Sequence, residues 1–136
     1  MSRSTIAHLT LATRDVPRSS AFFTRTLGWE PIRRPGNIRP GNTEREAAWL
    51  RIAPGQELHL LEVADFAISD FEREFGRHIA IEFPVEDFDA LRDRLLENGA
   101  ELIDAIRPTP FARFFFRDPN GYVFEVVEAG HEAETE

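Results

Sequence analysis

The sequence predicts an α+β fold made of two tandem copies of one β-α-β-β-β module. Each half of the 136-residue chain begins with an alternating strand-like run, continues into a helix that ends at a glycine, and finishes with three short strand-like runs. The spacing repeats as well, because Gly28 lies 20 residues after His8 and Gly99 lies 21 residues after His78. We therefore expect a single domain with four parts: module one at about 5–63, a connector at 64–77, module two at about 78–128 and an acidic tail at 129–136.

Module one is predicted to begin with a strand at Ile6–Thr13, where apolar and polar residues alternate. Its helix is expected to begin after Asp15, which suits the N-cap, to carry Pro17 in its first turn, and to end at Gly28. Three further strands are predicted at about 29–34, 47–52 and 57–63, separated by loops rich in proline, glycine and asparagine.

Module two repeats this order. The strand-like run His78–Val85 precedes a helix that opens at Glu86 and Asp87 and ends at Gly99. Its later strands are predicted at 100–106, 113–117 and 122–127, and the turn Asp118–Gly121 (DPNG) joins the last two. The composition of the connector allows a short helix.

Composition narrows the class of protein. No apolar run approaches the ~20 residues that cross a bilayer, and the N-terminus lacks a signal-peptide core, so we expect a cytoplasmic protein without a membrane partner. The absence of cysteine excludes disulfides, thiolate metal sites and cysteine nucleophiles. A net charge of −8 disfavours nucleic acid, whose phosphates would be repelled.

The repeat pairs two kinds of metal-binding residue. In each half a histidine on the first strand is matched by a metal-capable residue on the last strand: His59 lies 51 residues after His8, and Glu125 lies 47 residues after His78. Two modules related by a pseudo-twofold axis would bring all four side chains towards one point. We therefore predict that His8, His59, His78 and Glu125 hold one divalent cation.

Each candidate ligand also has a structural interpretation. A lone histidine is more often a hydrogen-bonded structural residue than a ligand, and this holds for His8 or His78 taken singly. Glu125 is flanked by apolar residues, which is costly unless the carboxylate is paired or metal-bound. The alternative partner of Glu125 is an arginine of the neighbouring strand, Arg113 or Arg117. For the four residues together, metal binding is the favoured interpretation.

The types of donor atom restrict which metals can bind but do not identify one. Imidazoles and one carboxylate suit Zn, Ni, Fe, Mn or Co, and octahedral coordination leaves two positions for water or substrate. An ion with open positions can polarise a carbonyl or enediolate oxygen, or lower the pKa of bound water.

A second group of residues could act on a substrate. Glu82 shares its strand face with His78 and is a candidate general base, although an ion pair with an arginine is the preferred interpretation. Two side chains from the third strand of each module could line a cavity, with an arginine binding an anionic group, or could form an exposed rim: Trp49 and Arg51 in module one, Arg113 and Phe115 in module two. His131 belongs to the acidic tail and is expected to be solvated.

The sequence resembles the vicinal oxygen chelate superfamily, which includes glyoxalase I, bleomycin- and fosfomycin-resistance proteins, methylmalonyl-CoA epimerase and extradiol dioxygenases. Four stretches carry the resemblance and together span nearly the whole chain in the family's order: HLTLATRDVPRSSAFFTRTLGWE, ELHLLEV, GRHIAIEFPVEDFDALRDRLLENGAE and FRDPNGYVFEVVE.

This resemblance implies that each module wraps a curved mixed sheet into half of a cup around the metal. The family's ligand positions correspond to His8, His78 and Glu125, while His59 occupies the fourth-strand position. Glyoxalase I-like members usually carry glutamate there and epimerases carry glutamine. Extradiol dioxygenases bind their metal with two histidines and one glutamate and lack a ligand on the fourth strand. Members of this size are typically homodimers, in which modules pair within a chain or between chains.

The first functional hypothesis is a divalent-metal-dependent, glyoxalase-like enzyme of the isomerase or lyase type. Its small substrate would chelate the ion through neighbouring oxygens, and Glu125, or with less support Glu82, would move a proton. One alternative is an extradiol-type dioxygenase with Fe(II) or Mn(II), in which Phe114–Phe116 form an apolar wall for a catechol. Others are a non-catalytic antibiotic- or metabolite-binding resistance protein, a branch that typically lacks the metal ligands, and a thiol transferase acting on an epoxide antibiotic.

Overall fold

The computed structural model describes residues 2–32, 46–69 and 72–130. The chain divides into two compact units, Met1–Phe66 and Ala67–Glu136, so the boundary falls inside the predicted connector. The end of the predicted second strand at 33–34 and most of the acidic tail, including His131, lie outside the described residues. No helix of the described residues is long and apolar enough to span a membrane.

Unit one contains one helix and a four-stranded mixed sheet. Its elements are β1 (His8–Thr13), α1 (Val16–Leu27), β2 (Glu30–Pro31), β3 (Ala47–Ala53) and β4 (Gln56–Glu62). The strand order is β1-β4-β3-β2, in which β1 and β4 are parallel and the other pairs antiparallel.

Unit two repeats the arrangement. Its elements are β5 (Ile79–Phe83), a 3₁₀ turn (Val85–Asp87), α2 (Phe88–Glu97), β6 (Glu101–Ile103), β7 (Arg113–Arg117) and β8 (Val123–Glu128). The order β5-β8-β7-β6, with β5 and β8 parallel, matches that of unit one strand for strand. The predicted α+β fold of two β-α-β-β-β modules is confirmed.

The ends of α1 follow the predicted capping. The Asp15 carboxylate accepts a hydrogen bond from the backbone N–H of Arg18 at 3.0 Å. The helix ends at Gly28, whose φ of 76° lies in the left-handed region that glycine tolerates best. The apolar side of α1 packs on β3 and β4, where Leu58 and Leu60 are fully buried. This packing leaves the opposite face of β4, which carries His59, for other contacts.

Aromatic rings form much of the core of unit two. Phe116 stacks on Phe124 with ring centroids 5.0 Å apart, and the two residues are directly opposite each other in the β7–β8 register. Phe88, at the start of α2, meets the edge of Phe114 at 5.2 Å. Leu91, also on α2, is fully buried. Alternation along β7 and β8 therefore turns one face to this core and leaves Glu125 on the other.

The described residues of the connector, 64–69 and 72–77, contain no helix, although their composition would allow one. Two of its carboxylates, Glu72 and Glu74, are buried. Ile68 of the connector packs directly against Gly121. A side chain at residue 121 would collide with Ile68, and the φ of 106° there is one that glycine tolerates best.

The strand β6 is shorter than predicted and ends at Ile103 rather than at residue 106. The backbone N–H groups of Ile106 and Arg107 donate to the carboxylate of Glu74, at 2.5 and 3.2 Å, rather than to a neighbouring strand. Tertiary contact with a buried carboxylate thus replaces the end of the strand.

Candidate metal centre

In unit one, β1 and β4 bring two imidazole rings into contact. The rings of His8 and His59 are stacked, with centroids 4.0 Å apart and planes inclined by 16°. The register explains the contact, because Thr10 lies directly opposite His59 and His8 shares the face of Thr10 two residues earlier. The sheet therefore presents the nitrogen atoms of both rings from one small area.

The imidazole of His59 is hydrogen-bonded to the carboxylate of Glu57, a residue to which the sequence analysis gave no role. His59 Nε2 and Glu57 Oε1 are 2.9 Å apart, and both side chains are about four-fifths buried. When Nε2 carries the proton of this hydrogen bond, Nδ1 is the nitrogen with the lone pair. Metal-bound histidines commonly have such a carboxylate on their other ring nitrogen. The sequence signal was available, since residues 57 and 59 share a strand face.

In unit two, His78 and Glu125 come together although they are 47 residues apart. His78 Nε2 lies 3.1 Å from Glu125 Oε1. Ala80 is directly opposite Glu125 in the β5–β8 register, and His78 lies two residues before Ala80, just ahead of the first residue of β5. The edge of the His78 ring also meets Phe115, with centroids 5.3 Å apart.

The two pairs occupy equivalent positions in the two modules. In each, a histidine precedes by two residues the position opposite the last-strand ligand, which is Thr10 in unit one and Ala80 in unit two. His8 is the first residue of β1, whereas His78 directly precedes β5. An aromatic residue of the third strand lies opposite that ligand in both: Trp49 opposite His59, and Phe115 opposite Glu125. The sequence repeat therefore extends to strand register.

The carboxylate of Glu125 has a different partner for each oxygen. Oε1 faces His78, while Oε2 accepts a hydrogen bond from Arg113 NH1 at 3.0 Å. The ion pair considered as an alternative for Glu125 is therefore present, and its partner is Arg113. Arg117 instead contacts Glu101 at 3.4 Å. Since the pair with Arg113 uses only Oε2, it is compatible with a metal at Oε1.

Arg113 also contacts a second carboxylate, that of Glu74. Its NH2 group donates to Glu74 Oε2 at 2.9 Å. Burial alone would raise the pKa of Glu74, but hydrogen bonds from the backbone of Ile106, from Arg113 and from the backbone of Arg107 outweigh it and lower the pKa to about 2. Burial alone would lower the pKa of Arg113, but its bonds to Glu74 and Glu125 raise it. No sequence signal identified Glu74.

Glu74 makes stability depend on pH. Its folded-state pKa of about 2 is below the ordinary value of 4.5, so its contribution is complete above about pH 4.5 and is lost as pH falls towards 2. Hydrogen bonds from Arg77 lower the pKa of Glu72 as well, so its contribution to stability is also lost as pH falls. We expect the unfolding free energy of Glu74→Gln, measured by urea denaturation, to fall less steeply over this range than that of the wild type. Parallel pH profiles would contradict this assignment.

The residues of unit two fit a divalent ion. Neighbouring ligands of an octahedral ion, each about 2.1 Å from it, lie about 3.0 Å apart, close to the separation of His78 Nε2 and Glu125 Oε1. His78 Nδ1 is buried and has no hydrogen-bond partner in the described part of the chain. When Nε2 of His78 binds an ion, Nδ1 is the ring nitrogen that carries the proton.

Each unit contributes two of the four predicted ligands. Within residues 2–32, 46–69 and 72–130, no group of three or more histidine, aspartate or glutamate side chains is close enough to hold an ion by itself. The structure thus brings together His8 with His59 and His78 with Glu125. That all four hold one ion stays a prediction.

The residues predicted to contact substrate divide into two sets. The rings of Trp49 and Phe115 lie beside the ligand pairs, with Trp49 5.4 Å from the His59 ring. Arg51 is exposed and opposite Glu57, whereas Arg113 is held between two carboxylates. Glu82 is exposed on β5, and no ion pair to it occurs among the described residues. The substrate and proton-transfer roles of these residues stay predictions.

Comparison with known proteins gives one family. The model of the Glyoxalase/Bleomycin resistance protein/Dioxygenase superfamily matches residues 5–126. Among curated proteins, Glyoxylase I 4 of Arabidopsis thaliana is 27% identical over 129 residues, which are 90% of this chain and 70% of that protein.

Solved structures share the fold. The fosfomycin resistance protein FosX of Listeria monocytogenes, as a glutamate-to-glutamine variant complexed with Mn(II) and 1S,2S-dihydroxypropylphosphonic acid, gives a TM-score of 0.73 at 22% identity, covering 94% of this chain and 93% of that chain. A glyoxylase/bleomycin resistance protein/dioxygenase domain from Frankia sp. EAN1pec gives 0.71 at 24% identity, covering 96% of each chain.

Proposed function

Because the chain belongs to the glyoxalase/bleomycin resistance protein/dioxygenase superfamily, we propose that it is a divalent-metal-dependent enzyme acting on a small substrate through two neighbouring oxygen atoms. The proposed reaction is a glyoxalase-like proton transfer of the isomerase or lyase type. The observation that carries the proposal is the equivalent placement of two ligand pairs, His8 with His59 and His78 with Glu125, at the same register of the two modules.

The proposed ligands are these four residues, and the ion is one of Zn, Ni, Fe, Mn and Co. Histidine nitrogens with one carboxylate suit any of these metals, and the structural relative FosX was crystallised with Mn(II). When bound, the ion would polarise the substrate oxygens and make a neighbouring C–H bond more acidic. We also propose a homodimer, the assembly that the family resemblance implies for a chain of this size.

The surrounding side chains support proton transfer. Arg113 holds Oε2 of Glu125, so Oε1 is the oxygen proposed to bind the ion, and Glu125 would take the substrate proton only after Oε1 leaves the ion. Glu57 holds the His59 ring by its Nε2 atom, which fixes the orientation of that ligand. The rings of Trp49 and Phe115 give the two pairs apolar neighbours, which favours exclusion of water from a bound substrate. Glu82 is the second candidate for moving the proton.

Two measurements on the full chain test the proposal. Titration of chelator-treated protein with Mn(II) or Zn(II) is expected to give one tight site for each set of four ligands, that is, one ion per chain. The metal-loaded protein is expected to exchange hydrogens of hydroxyacetone, whose two oxygens are neighbours, with solvent deuterium faster than chelated protein does. Absence of a stoichiometric site, or exchange that chelation leaves unchanged, would overturn the proposal.

Modification of an epoxide antibiotic is the second candidate function, because the fold is shared with FosX over nearly the whole chain. Loss of fosfomycin on incubation with the Mn(II)-loaded protein, without exchange of hydroxyacetone hydrogens, would favour it. Oxygen uptake with catechol by the Fe(II)-loaded protein would favour the extradiol alternative instead. Binding of a drug without turnover would place the chain among the resistance proteins that only sequester.

A further inference from the structure

We propose that Glu74 is a positioning residue of the metal centre, which acts on Glu125 through the guanidinium group of Arg113. The inference rests on the proposed function, since it takes Glu125 to be a metal ligand. It assigns a role to a connector residue that lies outside both copies of the repeat.

Arg113 is fixed at several points. Its NH1 group donates to Glu125 Oε2 at 3.0 Å, and its NH2 group donates to Glu74 Oε2 at 2.9 Å and to the backbone carbonyl of Arg107 at 2.5 Å. Only 2% of the side chain is exposed, so the guanidinium cannot exchange these partners for water. As a consequence, Oε2 of Glu125 is engaged by Arg113, and Oε1, beside His78, is the oxygen proposed to bind the ion.

Glu74 is itself held rigidly. Its Oε1 atom accepts from the backbone N–H of Ile106 at 2.5 Å, and its Oε2 atom accepts from the backbone N–H and Nε of Arg107 at 3.2 and 3.0 Å. The side chain is 2% exposed. These bonds come from the loop between β6 and β7, which leads into Arg113. Glu74 is therefore a fixed counter-charge rather than one half of a mobile surface ion pair.

The charge of Arg113 is shared between two carboxylates because Glu74 is present. Without Glu74, the buried guanidinium would have Glu125 as its one carboxylate partner among the residues that the structure describes. The fork of an arginine favours a bidentate pair that takes both oxygens. Such a pair would compete with the metal for Oε1. Glu74 holds the NH2 edge of the arginine and thereby keeps Oε1 available.

The repeat provides an internal comparison. Trp49 in unit one is equivalent to Phe115 in unit two, so Ala47 is equivalent to Arg113. The last-strand ligand of unit one is the imidazole of His59, which needs no arginine to anchor a second oxygen. Arg113 therefore occurs in the module whose last-strand ligand is a carboxylate, Glu125. This is the placement expected if the Glu74–Arg113 pair positions that carboxylate.

The direct test is the metal affinity of Glu74→Gln, measured by titrating the full, chelator-treated chain with Mn(II). We expect binding to weaken about 10- to 100-fold, the usual cost of losing a partner of a metal ligand. Glu72→Gln is the matched control, because Glu72 is a buried carboxylate of the same connector whose side chain bonds to Arg77. It should keep the wild-type affinity, even though Arg77 directly precedes His78. Equal losses in the two variants would overturn the proposal.

A double-variant cycle separates positioning from a general loss of stability. Because Glu74 acts through Arg113, Glu74→Gln should have no further effect on Mn(II) affinity in an Arg113→Gln background. The same fold-loss in both backgrounds would refute the inference. The Glu125→Ala variant separates a failure of the proposed metal site from a failure of the role of Glu74. If this variant still binds Mn(II) tightly, the proposed metal site is wrong. If it loses binding while Glu74→Gln binds like the wild type, only the role of Glu74 fails.

Discussion

Replacing either His78 or Glu125 with alanine is expected to abolish tight binding of a divalent ion, with a loss of more than about 100-fold, above the usual cost of losing an outer partner of a ligand. The two donor atoms lie 3.1 Å apart, the spacing of neighbouring ligands, so removal of one leaves unit two with a single donor. Metal content by elemental analysis and affinity by titration measure the effect. Full metal occupancy in both variants would remove both residues from the ligand set.

Two controls make this result specific. Glu82→Ala removes a carboxylate from the same unit, but an exposed one, and is expected to keep the wild-type affinity. Glu125→Ala also deprives Arg113 of one of its two carboxylate partners, so the fold of each variant must be compared by denaturation of the metal-free protein. A variant that stays folded without metal and binds no added metal has lost a ligand.

Truncation of Phe116 to alanine is expected to have the largest effect on stability. The side chain is fully buried and stacks on Phe124 at 5.0 Å, so the truncation leaves a cavity in the core of unit two. We expect the unfolding free energy to fall by about 3–5 kcal/mol, which is a large part of the roughly 5–15 kcal/mol of a typical domain. Urea denaturation monitored by circular dichroism measures the difference.

Phe75→Ala is the matched control, because Phe75 is 66% exposed and its truncation opens no cavity. Its effect is expected to stay within about 0.5 kcal/mol. Comparable losses in the two variants would mean that the stacked pair of Phe116 and Phe124 is not central to the core.

Most of the architecture followed from local sequence patterns. Asp15, Pro17 and Gly28 predicted the ends of α1 because capping is decided by the few residues around a helix terminus. Alternation along β4 places Leu58 and Leu60 on one face of the strand, and both are fully buried in the structure. The sequence of the connector leaves open a short helix or an irregular segment, because the side-chain bonds of Glu72 and Glu74 are not revealed by a local pattern.

The sequence by itself determined the duplicated module and the candidate ligands, since a repeat of spacing and a period of two along strands are local properties of the chain. Only the tertiary structure decided which partners these ligands have. Glu74 and Arg113 are 39 residues apart, and the hold of Arg113 on one oxygen of Glu125 depends on the β7–β8 register and on a loop that donates its backbone N–H groups to Glu74. Such bonds are set by long-range packing, in which burial forces each charged group to find a partner.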